Sequence, residues 1–206
     1  MIAPIVNERD IRVLRQCDII NNIHKMYGKP PSISRPEGFE TLVKIILEQQ
    51  LSLASAKAHF DKLQAYVKTI TPISILELSP TELRACQLSR QKARYVIALA
   101  RAIVDQELNL EDLSHATEAE VRAQLTAIKG IGDWTAEVYL MFSLQAKDIF
   151  PLGDIAIINT MKELTMVSSK QAALDRAAAW RPLRSLASYY LWHYYLKKRN
   201  REWVSG

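Results

Sequence analysis

Two glycines and one carboxylate are the groups in this chain whose spacing most suggests chemistry. In Gly130-Ile131-Gly132-Asp133-Trp134-Thr135-Ala136 the glycines open a helix, where bare main-chain amides can approach a phosphate closely. Asp154, set in Phe150-Pro151-Leu152-Gly153-Asp154 and twenty residues beyond Trp134, can return to the same surface. A grip on a polyanion would then stand beside a group able to act on it. Each piece also has a plainer use. Gly-x-Gly makes ordinary helix-to-helix turns, and Asp154 can simply cap the helix that starts at Ile155.

The elements that must position these groups read as helices almost throughout. Apolar residues recur at helical spacing at Phe39, Leu42, Val43, Ile46 and Leu47, then at Ala56, Phe60, Leu63 and Val67, then at Tyr95, Leu99 and Ile103. Ser79-Pro80-Thr81-Glu82 supplies an N-cap, a proline at the first helical position and a capping-box glutamate, and Thr117 with Glu120 forms a second box. The pattern predicts a short amphipathic helix from Glu118 to Ile128, then one capped by Asp133 and running through Val138, Tyr139 and Phe142. The glycines thus make the turn of a helical hairpin. Gly28-Lys29-Pro30-Pro31 through Gly38 reads as a connector, and Phe150 to Gly153 as a second break. The expected fold is all-α, with two helical lobes, a helix-hairpin-helix motif and an active-site cleft between the lobes. Residues 39–146 form the central lobe, and 1–38 together with 147–206 form the other.

Composition narrows the function classes. With 206 residues, 49% of them hydrophobic, the chain can bury a substantial core without a disulfide or a metal. Cys17 and Cys86 stand far apart, and His24, His59, His115 and His193 show no ligand spacing, which argues against zinc and iron–sulfur sites. The net charge of +5 is concentrated at one end: residues 176–206 carry seven basic side chains against Glu202, a local net of +6. Such an end favours a polyanion or a solvated terminal helix. Pro4, Asn7, Glu8, Arg9 and Asp10 interrupt the amino terminus, so it reads as neither signal peptide nor membrane span. The expected setting is a reducing one, cytoplasmic or, in a eukaryote, nuclear.

Ile128-Lys129-Gly130-Ile131-Gly132-Asp133-Trp134-Thr135-Ala136, followed by Asp154, resembles the helix-hairpin-helix DNA glycosylase superfamily. More narrowly it is similar to the 3-methyladenine DNA glycosylase II branch, which excises alkylated bases. The resemblance extends to Glu48-Gln49-Gln50-Leu51-Ser52, to Leu88-Ser89-Arg90-Gln91-Lys92-Ala93-Arg94-Tyr95, and to Trp180-Arg181-Pro182-Leu183-Arg184-Ser185 running into Trp192. There are departures. Lys129 replaces a common proline, Gln87 a common glycine, and Val138 an aromatic four residues after the hairpin tryptophan. The β-rich amino-terminal domain of larger members has no room before Phe39, so only the helical core is expected.

The resemblance implies a monofunctional, metal-independent N-glycosyl hydrolase of base-excision repair that acts as a monomer, without cofactor, on duplex DNA containing alkylated purines. Asp154 would be the catalytic carboxylate, stabilising positive charge on the sugar as the base departs. Trp134 stands where strand-nicking relatives have a Schiff-base lysine, so no lyase step is expected. Trp134 and Trp192, with Tyr139, would form the base pocket, their π-faces suited to a cationic base. Gln49 or Gln50 would enter the stack or meet the orphaned base. Lys129, Gly130, Gly132, Thr135 and Arg184 would hold the DNA backbone. The superfamily resemblance also allows a monovalent cation on the carbonyls of Thr126, Ile128 and Gly130. The rival readings are a mismatch uracil or thymine glycosylase and a non-catalytic DNA-binding hairpin module.

Overall fold

The computed structural model describes residues 4–203. Along the chain run α1 (Glu8–Leu14), α2 (Asp18–Tyr27), α3 (Phe39–Glu48), α4 (Leu53–Val67), α5 (Pro72–Leu76), α6 (Pro80–Ala85), α7 (Arg90–Val104), α8 (Leu110–Leu113), α9 (Glu118–Thr126), α10 (Asp133–Phe142), α11 (Ile155–Thr165), α12 (Lys170–Ala177) and α13 (Arg184–Lys197), with a 3-10 turn at Ala178–Trp180. No strand occurs among the described residues, and the fold is all-α.

Side-chain caps fix where several of these helices begin. Ser79 Oγ accepts the Glu82 amide at 3.3 Å while the Glu82 carboxylate accepts the Ser79 amide at 2.7 Å, with Pro80 at the first helical position. Thr117 and Glu120 repeat the arrangement at the start of α9, at 3.3 and 2.8 Å. Thr71 and Ser74 form a third box at α5, which the glutamate-based pattern does not mark. Each box pairs amides that a helix start leaves without intrahelical partners.

The described chain divides into two compact units, one of residues 4–34 and 140–203 and one of Arg35–Tyr139. The second boundary falls inside α10, earlier than the break after it that the sequence suggests. The reason is Phe142, whose ring lies 5.3 Å from Tyr189 and 5.6 Å from Trp192 and so belongs with α13.

In the Arg35–Tyr139 unit, α3 packs on α4 and α7, and α7 also packs on α5 and α6. Leu42, Val43, Ile45, Ile46 and Leu47 are wholly buried there, as are Val121 and Leu125 of α9. In the other unit α13 is central, packing against α1, α2 and α11. Every residue from Ser185 to Tyr194 is buried, so this helix has no polar face, as a core helix requires. Its polar atoms are paired: Tyr189 Oη donates to the Ile33 carbonyl at 2.9 Å, and His193 Nε2 meets the Tyr27 carbonyl at 3.0 Å. Tyr190 Oη lies 2.8 Å from His24 Nδ1. Burial pushes the Tyr190 phenol up to about 12 and the His24 imidazole below its ordinary value, which makes the phenol donor and the neutral ring acceptor.

Candidate functional site

The hairpin belongs to the Arg35–Tyr139 unit. Ile128 and Ile131 are buried and root the turn, and the Ile131 amide closes it onto the Ile128 carbonyl at 3.0 Å. Gly130 has φ +98°, and a Cβ built on it would lie 2.0 Å from Cγ of Tyr95, so the chain passes there only without a side chain. At Gly132 an added Cβ meets nothing within 4 Å. No packing inside the protein demands that second glycine. Lys129 is exposed at the tip and Trp134 is half-buried in the first turn of α10. Arg122 ties α9 to α10 by reaching Glu137 at 3.1 Å and Asp133 at 3.4 Å.

The end of α3 meets this hairpin. Gln49 Nε2 donates to the Gly130 carbonyl and to Thr135 Oγ1, each at 2.9 Å. Gln50, the next residue, is exposed and adopts φ +57°, a left-handed conformation uncommon outside glycine. Just before them, Glu48 receives a two-pronged ion pair from Arg35 at 2.8 and 3.0 Å, with both side chains largely buried. Lys92 Nζ donates to the Leu47 carbonyl, and burial pulls the Lys92 ammonium below its ordinary pKa, with Glu48 opposing that shift.

The other unit carries Asp154. It is the N-cap of α11, its Oδ1 accepting the amides of Ala156 at 2.9 Å and Ile157 at 3.1 Å, and its side chain is partly exposed. The segment leading to it is pinned to the start of α13. Arg184 Nε and an Nη grip the Asp148 carboxylate at 2.8 and 2.9 Å, and the Ser185 hydroxyl accepts the Ile149 amide at 2.9 Å. Trp192 is only 8% exposed. Its ring is bounded by Phe142, by Tyr189 at 6.0 Å and by Trp203, which stands edge-on at 6.3 Å. Trp203 also stacks on Tyr189 at 5.6 Å and donates from Nε1 to His193 Nδ1 at 3.1 Å.

Several expected roles change on this geometry. Tyr139, expected in the base pocket, is wholly buried and its hydroxyl accepts the Gly38 amide at 3.0 Å, so it is a core residue whose phenol burial pushes up. Arg184, expected on a DNA phosphate, has its guanidinium committed to Asp148 with the side chain 14% exposed. Thr135, expected on the DNA backbone, is buried and turns its hydroxyl to Gln49, so its place is in the joint between α3 and the hairpin. Of the three carbonyls expected around a monovalent cation, that of Ile128 accepts the Ile131 amide, and that of Gly130 accepts the Gln49 carboxamide, whose N–H carries the same sign of charge as a cation. Among the described residues no cluster of His, Cys, Asp or Glu could hold a metal. Sequence reasoning missed Asp148, Arg35 and Trp203, whose partners lie too far along the chain for any spacing rule. Lys92 and Tyr95 lie in the Leu88–Tyr95 stretch, but no spacing in it announces a carbonyl and a glycine as their partners.

No helix among the described residues is long and apolar enough to cross a membrane. Residues 43–184 match the profile of the HhH-GPD superfamily base excision DNA repair protein. The Bacillus subtilis protein YfjP is 34% identical over 187 residues, which cover 84% of this chain and 64% of YfjP. DNA-3-methyladenine glycosylase 1 of Schizosaccharomyces pombe is 30% identical over 173 residues, covering 81% of this chain and 76% of that protein. Among solved structures, the S. pombe 3-methyladenine DNA glycosylase Mag1 in complex with abasic DNA matches with a TM-score of 0.81 at 27% identity, over 90% of this chain and 95% of that one. The chain therefore spans a little under two thirds of YfjP's length.

Proposed function

The chain belongs to the HhH-GPD superfamily of base excision DNA repair proteins, and from that premise we propose that it is a monofunctional DNA glycosylase that removes alkylated purines from duplex DNA. The observation that carries the reading is Asp154, a carboxylate aimed by two main-chain amides at 2.9 and 3.1 Å and therefore fixed before substrate arrives. The relatives named as 3-methyladenine glycosylases supply the substrate class.

In the proposed reaction the C1′–N bond of the sugar breaks, its electrons leave with the base, and positive charge grows on the ring. Asp154 offsets that charge and takes a proton from the water that adds to C1′. An alkylated purine departs neutral because it carried the positive charge, so no protein acid has to protonate it. Trp134 and Trp192 are the aromatic faces for such a base, each favourable cation–π contact contributing about 0.5–2 kcal/mol. The amides around Gly130 and Gly132, with Lys129, hold a phosphate, and the space at Gly132 supports this because nothing in the protein fills it. Gln50, exposed at the end of α3, is the residue for the gap left by the flipped base. With Trp134 in place of a lysine, the strand stays intact. The protein works as a monomer, in the cytoplasm or nucleus where its substrate DNA lies.

The test is base release from duplex oligonucleotides carrying 3-methyladenine, 7-methylguanine, hypoxanthine, ethenoadenine or uracil. Release of the alkylated bases, with strand breaks appearing only after alkali, is the expected result. Release of uracil alone would transfer the chain to the mismatch enzymes, and no release would leave only a DNA-binding hairpin.

A further inference from the structure

The turn after α3 is held from several sides, and all the holding groups lie in one unit. Gln49 reaches the hairpin at two points, each 2.9 Å away, while Lys92 holds the Leu47 carbonyl and Arg35 forks onto Glu48. Lys92 and Tyr95 are neighbours on one face of α7, so the helix that secures the end of α3 also carries the ring beneath Gly130. Outside this cluster stand Gln50, at φ +57°, and Leu51, 39% exposed. The chemistry also fixes which end of the Gln49 amide faces inward, since the Gly130 carbonyl can only accept and the group opposite must be the N–H.

We propose that Gln49 is a positioning residue that couples the hairpin to the turn bearing Gln50, so that seating the hairpin on a phosphate and driving Gln50 into the base stack are one rigid step. The inference rests on Gln50 being the residue that enters the stack. Gln49 itself contacts no DNA in this scheme. It sets the distance between the group that grips and the group that opens.

Three variants on paired, lesion-bearing duplex test this, with stack opening read by 2-aminopurine fluorescence beside the lesion and excision read in single turnover. Q49M keeps the length and removes both hydrogen bonds, Q49E turns an acceptor toward the Gly130 carbonyl, and Q50A removes the inserting group. The expected result is that Q49M slows opening and excision ~10-fold and Q49E more, while undamaged-duplex affinity stays within ~2-fold. Excision from an unpaired bubble, where no stack must open, should be nearly unchanged. In the Q50A background Q49M should add little, because the two act in one step. If Q50A opens the stack at the wild-type rate, the reading of Gln50 fails and the coupling fails with it. If Q50A is slow and Q49M is not, the coupling alone is overturned. Loss of undamaged-duplex affinity in proportion to excision in Q49M also overturns it, for Gln49 would then brace the hairpin only. Should Q49M melt early, T135V, which removes one of the two acceptors, gives the same discrimination in milder form.

Discussion

A methyl group added to Gly130 would sit 2.0 Å from the Tyr95 ring, at a φ of +98° that other residues rarely adopt. Gly130→Ala should therefore destabilise the protein by at least about 2 kcal/mol, measured by chemical denaturation. Gly132→Ala meets no such obstacle, and its melting temperature should hold. Its affinity for damaged and undamaged duplex should fall together, because the added methyl stands where a phosphate would approach. An unchanged affinity would remove Gly132 from the proposed grip. Asp154 allows a similar separation of roles. Asparagine caps a helix about as well as aspartate, so Asp154→Asn should keep α11 and DNA binding while losing ~10²-fold or more in single-turnover excision. Near-normal turnover would reduce Asp154 to a cap.

At the scale of elements, the α6 capping box makes a pH prediction. Its Ser79 contacts, and then the Tyr66 hydroxyl, lower the Glu82 carboxyl from its ordinary 4.5 to about 2. A depressed acid contributes stability that is complete above its unfolded pKa and is lost as pH falls through the folded one. Amide protection at the start of α6 should accordingly decline between about pH 4.5 and pH 2, and Tyr66→Phe should move the carboxyl titration upward. A midpoint near 4.5 by NMR would contradict the reciprocal bonds. Arg184 belongs to the same scale, because it clamps the stretch before Asp154 to the head of α13. Arg184→Ala should cost about 2 kcal/mol of stability, as expected for lost hydrogen bonds to a charged group. It should leave the salt dependence of duplex affinity unchanged.

For the whole molecule, the basic end is less available than its composition suggests. Lys197 pairs with Glu202 at 2.8 Å, Lys198 pairs with Glu163, and Arg181 and Arg184 both face Asp148. Lys129→Ala should therefore flatten the dependence of log affinity on log salt by about 1, as for one lost phosphate contact. The helices, the hairpin and the caps at Ser79, Thr117 and Asp154 were legible in the sequence, since each rests on interactions within a few residues. The unit boundary inside α10, the burial of Tyr139 and the commitment of Arg184 were not. Each depends on a partner brought close only by folding: Phe142 on Tyr189, Gly38 on Tyr139, and Asp148 on Arg184. Gln49 and Gln50 look equivalent as letters, and only the backbone turn sends one inward and the other out.

The seating of Trp203 has an optical consequence. Its indole lies edge-on to Trp192 at 6.3 Å with the planes at 89°, close enough for the strong far-ultraviolet transitions of the two rings to mix. The pair should give a signed couplet in circular dichroism that Trp203→Phe abolishes. An aromatic cation brought against Trp192 should perturb the same couplet, so occupancy at that indole becomes readable in the unlabelled protein without any turnover.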